Sequence, residues 1–98
     1  MRRYAIIYDR AAVLDIAELQ AWIGGQTSES IAKAYVIRLR KFCRRLRHFP
    51  LRGLERDDIR PGIRMISFEN RINVAFEVEG TRVIIIRVRY AGRQFSSL

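Results

Sequence analysis

The sequence predicts an α+β domain with the element order β-α-α-β-β-β, in which a helix hairpin packs on a small, mostly antiparallel sheet. Three observations carry this. Apolar residues recur every three or four positions from Val13 to Phe49, which is the period of a helix. Pro50 then ends that pattern, because the residue before a proline leaves helical space. Three β-prone runs follow at 63–68, 72–78 and 82–90, and the gaps between them, Glu69-Asn70-Arg71 and Glu79-Gly80-Thr81, are hairpin-sized. A chain of 98 residues can build one core but not two, so residues 1–98 read as a single domain.

Each element has its own signal. "RYAIIYD" alternates, with Tyr4, Ile6 and Tyr8 on one side and Ala5 and Ile7 on the other, and predicts a strand at about 3–8. From Asp9, a capping residue, the period changes: Val13, Ile16, Leu19 and Ile23 share a helical face that Trp22 joins. Gly24 and Gly25 predict a left-handed cap that ends this helix. Thr27 or Ser28 starts the second, with Glu29 in its first turn where it complements the helix dipole. The stripe Ile31, Tyr35, Leu39, Phe42, Leu46 and Phe49 predicts one long helix up to Pro50. "LRGLERDDIRPG" reads as a loop.

Strand parity assigns faces. Ile72, Val74, Phe76 and Val78 in one strand and Ile84, Ile86, Val88 and Tyr90 in the next are expected to pack on the helices, with Ile63 and Met65 of the first hairpin strand. The outward face then carries Arg64, Ile66 and Phe68, Asn73, Ala75 and Glu77, and Val83, Ile85, Arg87 and Arg89. That is an apolar patch ringed by arginines, of the kind that marks an interaction surface. The alternative is that a loop covers it.

The chain is 49% hydrophobic and 30% charged, a composition that packs rather than staying disordered. Nineteen Lys and Arg against ten Asp and Glu give a formal charge of +9, which suits nucleic acid, an anionic surface or an acidic protein partner. No acid lies between Glu29 and Glu55, while Lys33, Arg38, Arg40, Lys41, Arg44, Arg45, Arg47 and Arg52 all do. Such a helix either binds phosphates or is a solvated face whose Arg stems cover the hairpin; charge alone does not separate the two.

Several chemistries find no residues. One Cys and one His supply neither a disulfide nor a metal ligand set, so no cofactor or metal is expected and a reducing cytoplasm fits. The apolar start is broken by Asp9, which excludes a signal peptide or a membrane span. His48 has no Ser, Cys or carboxylate at triad spacing and reads as a partner of the helix C-terminal dipole. Asp57 and Asp58, flanked by Arg56 and Arg60, read as a salt-bridge cluster, and Cys43 as a small packed residue.

With this order in hand, the chain resembles the ParE/RelE superfamily of bacterial type II toxins, and within it the ParE branch. The resemblance runs through "YAIIYDRAA", "DIAELQAWI", "RLRHFPLRG" and "PGIRMISFENRINVAFEVEGTRVIIIRVRYAGR". It implies a toxin, a plasmid-stabilisation type of system, and a hetero-oligomer with a cognate ParD-like antitoxin whose acidic, flexible tail folds against it. ParE-type members inhibit DNA gyrase without catalysis; RelE-type members cut messenger RNA on the ribosome, using Lys and Arg on the sheet and a tyrosine near the C-terminus to stabilise the transition state. Here Arg64 matches one basic position, but Ile66 replaces a second, Asn73 stands where the nuclease branch has arginine, and Phe95 is the only aromatic after Arg93. The resemblance therefore implies a non-enzymatic gyrase inhibitor, with Arg64, Ile66, Phe68, Val83, Ile85, Arg87 and Arg89 meeting the antitoxin and Arg93 and Phe95 the target. A ribosome-dependent ribonuclease and a basic nucleic-acid-binding module are the alternatives.

Overall fold

The computed structural model describes residues 3–90. Their order is β1 (Ala5–Tyr8), α1 (Arg10–Gln26), α2 (Glu29–Arg44), a single 3₁₀ turn (Arg45–Arg47), β2 (Leu54–Glu55), β3 (Arg64–Phe68), β4 (Ile72–Glu79) and β5 (Arg82–Tyr90). The five strands form one sheet in the order β1-β5-β4-β3-β2. β1 runs parallel to β5, and all other neighbours are antiparallel. The expected α+β architecture is met, with β2 added inside the segment read as a loop.

Helix α1 does not stop at its glycines. Gly24 and Gly25 stay helical, and the end is made by Thr27, whose N–H and hydroxyl both reach the Ile23 carbonyl at 2.9 and 2.7 Å. Asp9 stands at the N-cap position, but its carboxylate accepts no capping hydrogen bond. In α2 the Ser28 hydroxyl accepts from the Ile31 N–H at 3.2 Å, as a capping serine should. The long helix tightens into the 3₁₀ turn before Pro50 rather than running on to Phe49, which is exposed.

The core lies between the hairpin and one face of the sheet. Ala12, Ile16 and Leu19 of α1 and Tyr35, Val36, Leu39 and Cys43 of α2 meet Phe68, Ile72, Val74, Phe76, Val83, Ile85 and Val88. Val13, Trp22 and Ile31, assigned to the helical stripes, instead face solvent. Tyr35 and Phe42 both contact Phe68, with ring centroids 5.5 and 5.1 Å apart. Burying so many large side chains at about 1.5–3 kcal/mol each supplies most of the force that holds the layers together.

Two strand faces differ from the parity reading. In β3, Ile66 and Phe68 lie directly across from Val74 and Ile72, so they share the helix-facing side, and Ile63 and Met65 take the other. In β5 the register slips: Ala75 pairs with Arg87 but Phe76 pairs with Ile85, leaving Ile86 as the extra residue of a bulge. The bulge reverses parity, so Val83 and Ile85 point into the core together with Val88 and Tyr90. Ile84 and Ile86 point outward, where Ile63, Ala75 and Ile86 form a second small buried cluster.

That outer cluster is covered by the 56–62 segment. Arg56 N–H donates to the Ile63 carbonyl at 2.8 Å, Asp57 accepts from the Gly62 N–H at 3.1 Å, and Arg60 pairs with Glu77 of β4 at 3.3 Å. Ile59 packs beneath. The loop that the sequence offered as the alternative cover thus lies over Ile63, Ala75 and Ile86.

Two glycines make opposite predictions. Gly25 is helical with open space at its Cβ position, so Gly25→Ala should raise unfolding free energy by about 0.5–1 kcal/mol. Gly53 sits at φ 81, where a Cβ would lie 2.3 Å from the Met65 carbonyl oxygen, so Gly53→Ala should lower it by at least about 1–3 kcal/mol. Urea denaturation of both variants tests this; equal effects would contradict the assigned backbone.

Candidate functional site

β1 is four residues long and pairs only with residues 82–85 of β5. Its continuation is cut short when the Asp9 N–H bonds the Ile85 carbonyl at 2.9 Å and the chain turns into α1. Among the described residues, β5 from Ile86 to Tyr90 pairs with β4 alone, and α1 runs beside the other edge. An open edge leaves main-chain groups to be satisfied. Asp15 takes that role: one carboxylate oxygen accepts from Arg87 Nε at 2.8 Å and from the Val88 N–H at 2.9 Å, and the other accepts from Arg87 Nη2 at 2.9 Å. The bidentate pair is mostly shielded from water and holds the Arg87 guanidinium even more firmly in its charged form.

Above this clasp is a cleft of about 710 Å³, lined on one side by Ala11, Leu14, Asp15, Glu18, Leu19 and Trp22 of α1 and on the other by Ile72, Arg87, Val88, Arg89 and Tyr90. The Trp22 ring meets the Tyr90 ring edge-on, with centroids 5.1 Å apart. Burial pushes the Tyr90 phenol up from its ordinary value. Leu14 and Trp22 are more than half exposed, at 53% and 55%. Helix α1 carries just three charged residues, Arg10, Asp15 and Glu18, so its outer side joins the cleft as a continuous apolar surface through Val13, Ala17 and Ala21.

The residues assigned to an antitoxin surface do not come together. Arg87 and Arg89 line the cleft. Val83, Ile85 and Phe68 are buried in the core and offer no surface, which corrects their outward assignment. Ile66 packs on the core edge and borders a separate hollow of about 430 Å³ near β2, with Phe42, Leu46 and Leu54. Arg64 is ion-paired to Glu55 at 2.9 Å. β3 and β5 are separated by β4, about 10 Å at ordinary strand spacing, so the two groups form no single site. Arg93 and Phe95 lie outside the described residues.

What the sequence reading missed is the α1 side: Leu14, Asp15, Glu18 and Trp22. A signal was present, since Asp15 falls among Ala12, Ile16 and Leu19 on the buried side of the helix, and a carboxylate there requires a cationic or N–H partner.

Cys43 is fully buried beside the Tyr8 hydroxyl, and burial pushes its thiol up to about 11. It packs as a small apolar residue, as expected. Among the described residues no group of three or more His, Cys, Asp or Glu is placed to hold a metal, and no helix is long and apolar enough to cross a membrane.

The fold and its element order recur in solved structures of toxin-antitoxin systems. The chain superposes on the chromosomal ParDE toxin-antitoxin system of P. aeruginosa with a TM-score of 0.79 and 19% identity, over 90% of this chain and 96% of that one. It also superposes on the RelBE2 toxin-antitoxin complex of Mycobacterium tuberculosis with a TM-score of 0.65 and 19% identity, over 95% and 97%. Residues 6–95 match the profile of the ParE toxin of the type II parDE toxin-antitoxin system, and the chain belongs to that family. No curated protein sequence matches significantly.

Two outcomes are expected. Asp15→Asn removes the charge that Arg87 and Val88 share and should lower stability by about 2 kcal/mol, between the values for exposed and buried pairs; a loss below about 0.5 kcal/mol in urea would show that the clasp is idle. Cys43 should resist Ellman's reagent at pH 8 until the chain is unfolded. An unfolded thiol ionises near about 8.5. The native one keeps its proton to about 11, so the unfolded chain binds fewer protons across that window and stability falls as pH rises. Cys43→Ala should flatten that decline.

Proposed function

We propose that this chain is a non-catalytic ParE-type toxin that inhibits DNA gyrase in the cytoplasm and is neutralised by a ParD-like antitoxin docked in the cleft between α1 and β5. The carrying observation is that cleft. It combines an exposed apolar wall, Leu14 and Trp22, with guanidinium groups from Arg87 and Arg89 and a strand edge that no described strand pairs with. A flexible segment with apolar and acidic residues suits it: burial of the apolar side chains offsets the ordering entropy, and carboxylates find a protein of formal charge +9. The structural relatives are toxin-antitoxin systems, which supports a hetero-oligomer of this kind.

The non-catalytic reading is supported by the scatter of the nuclease positions. Arg64 is held by Glu55, Ile66 packs toward the helices, and Asn73 lies on the opposite side of its strand from Val74, the cross-strand neighbour of Ile66. Side chains arranged this way do not converge on one phosphate, as transition-state stabilisation requires. Gyrase as the target is supported by membership of the ParE family.

Purified chain should block gyrase supercoiling and leave ribosome-bound message uncut; message cleavage without gyrase inhibition would replace this reading with the ribonuclease one. Trp22→Ala and Leu14→Asp should each weaken antitoxin binding about 30-fold or more, as loss of an interface anchor does. Leu54→Asp, on the far edge of the sheet, should leave the dissociation constant unchanged. The reverse pattern would move the antitoxin to the hollow near β2.

A further inference from the structure

Helix α2 and the 3₁₀ turn after it present a dense cationic surface. Lys33, Arg40, Lys41, Arg44, Arg45 and Arg47 project from it, and among the described residues none of them makes an ion pair. The acids that do pair serve other cations: Glu69 with Arg38, Asp58 with Arg56, Glu77 with Arg60, Glu55 with Arg64, Glu79 with Arg82 and Asp15 with Arg87. At 100° per residue, Lys33, Arg40 and Arg44 form one flank of the exposed side, Lys41 its crest and Arg45 the other flank. Arg40 is steadied with its guanidinium 5.1 Å from the centre of the Tyr8 ring. None of these residues lines the α1–β5 cleft.

We infer that this face is a second binding surface, which grips the phosphate backbone of duplex DNA without reading its sequence. The stretch from Lys33 to Arg44 covers about 16 Å of helix axis. Over that length a duplex presents about ten phosphates. Cations on crest and both flanks suit a helix of about 10–12 Å diameter seated at a B-form major groove of similar width. The A-form groove of duplex RNA is too narrow for this.

Two other polyanions fit less well. A single strand needs aromatic rings for base stacking, and here Tyr35 is buried, Phe42 packs on Phe68 and Tyr8 lies under Arg40. An acidic protein needs an apolar interface centre poor in charge, and Ile37 is the one large apolar side chain exposed among these cations. The inference does not depend on gyrase being the target.

Fluorescence anisotropy of a labelled 20-base-pair DNA of mixed sequence, titrated with the full chain, tests it. With about four phosphate contacts, affinity should fall about 100-fold between 50 and 200 mM salt. The triple variant Lys41→Gln, Arg44→Gln, Arg45→Gln should weaken binding at least about 10-fold and reduce the salt slope by about 2.7. The triple variant Arg10→Gln, Arg56→Gln, Arg82→Gln removes the same net charge elsewhere and should change affinity less than about twofold. Circular dichroism reports folding of both, and Lys41→Gln alone, at an exposed helical position, gives a second reading if a triple variant unfolds. Equal losses in the two triples, no binding, or tighter binding to single-stranded DNA, duplex RNA or polyglutamate would overturn the inference. Loss of DNA binding with gyrase inhibition intact would leave the proposed function standing.

Discussion

The mismatch in length between β1 and β5 shapes the rest of this molecule. Four residues of β1 cover the first part of β5, and the strand then runs on through Tyr90 with an edge that no strand among the described residues pairs with. Exposed N–H groups at such an edge invite uncontrolled pairing. Asp15 occupies the Val88 N–H and holds Arg87 in the same grip, which seats α1 beside the strand. Leu14 and Trp22 of the helix and Arg87 to Tyr90 of the strand line the space between the two elements, which is the cleft. A structural repair of a sheet edge and a recognition surface are thus built from the same few side chains.

The bulge at Ile86 has a comparable reach. By adding one residue to β5 opposite Ala75 and Phe76, it lets Val83, Ile85, Val88 and Tyr90 all face the helices although simple alternation forbids it. Ile84 and Ile86, displaced to the other face, are covered with Ala75 and Ile63 by the 56–62 loop, which Arg60 pins to Glu77. The sheet consequently has apolar cover on both sides, one thick and one thin. Its exposed apolar surface is displaced to the rim, at α1 and around Leu54.

Charge is partitioned just as unevenly. Helix α1 has three charged residues, and α2 with its 3₁₀ turn has one acid, Glu29, against many cations, of which Arg38 alone is ion-paired among the described residues. Electrostatic repulsion along α2 is tolerated because the side chains reach into water and their stems cover the helix. For a ParE-family toxin this leaves an apolar cleft and a cationic helix as separate surfaces, each suited to a different partner.

Much of the fold was legible in the residues. The helix hairpin, the three-strand meander and the faces of β4 follow from periodicity, from Pro50 and from alternation that the polar residues Asn73 and Glu77 punctuate. Family membership was legible for the same reason, since it rests on the order of these elements. The site was not. "VIII", residues 83–86, has no polar residue to set its parity, so its orientation depended on the bulge, and β3 took its faces from cross-strand partners that only pairing supplies. The apolar residues of α1 surround the helix, so its own sequence could not say which of Leu14, Leu19 and Trp22 would be covered; packing against β5 chose Leu19. Local sequence determined which segments are helix and strand, because those depend on neighbours three or four positions away. Tertiary structure alone decided where the cleft lies, because Asp15 and Arg87 are 72 residues apart and meet only when β1 ends early.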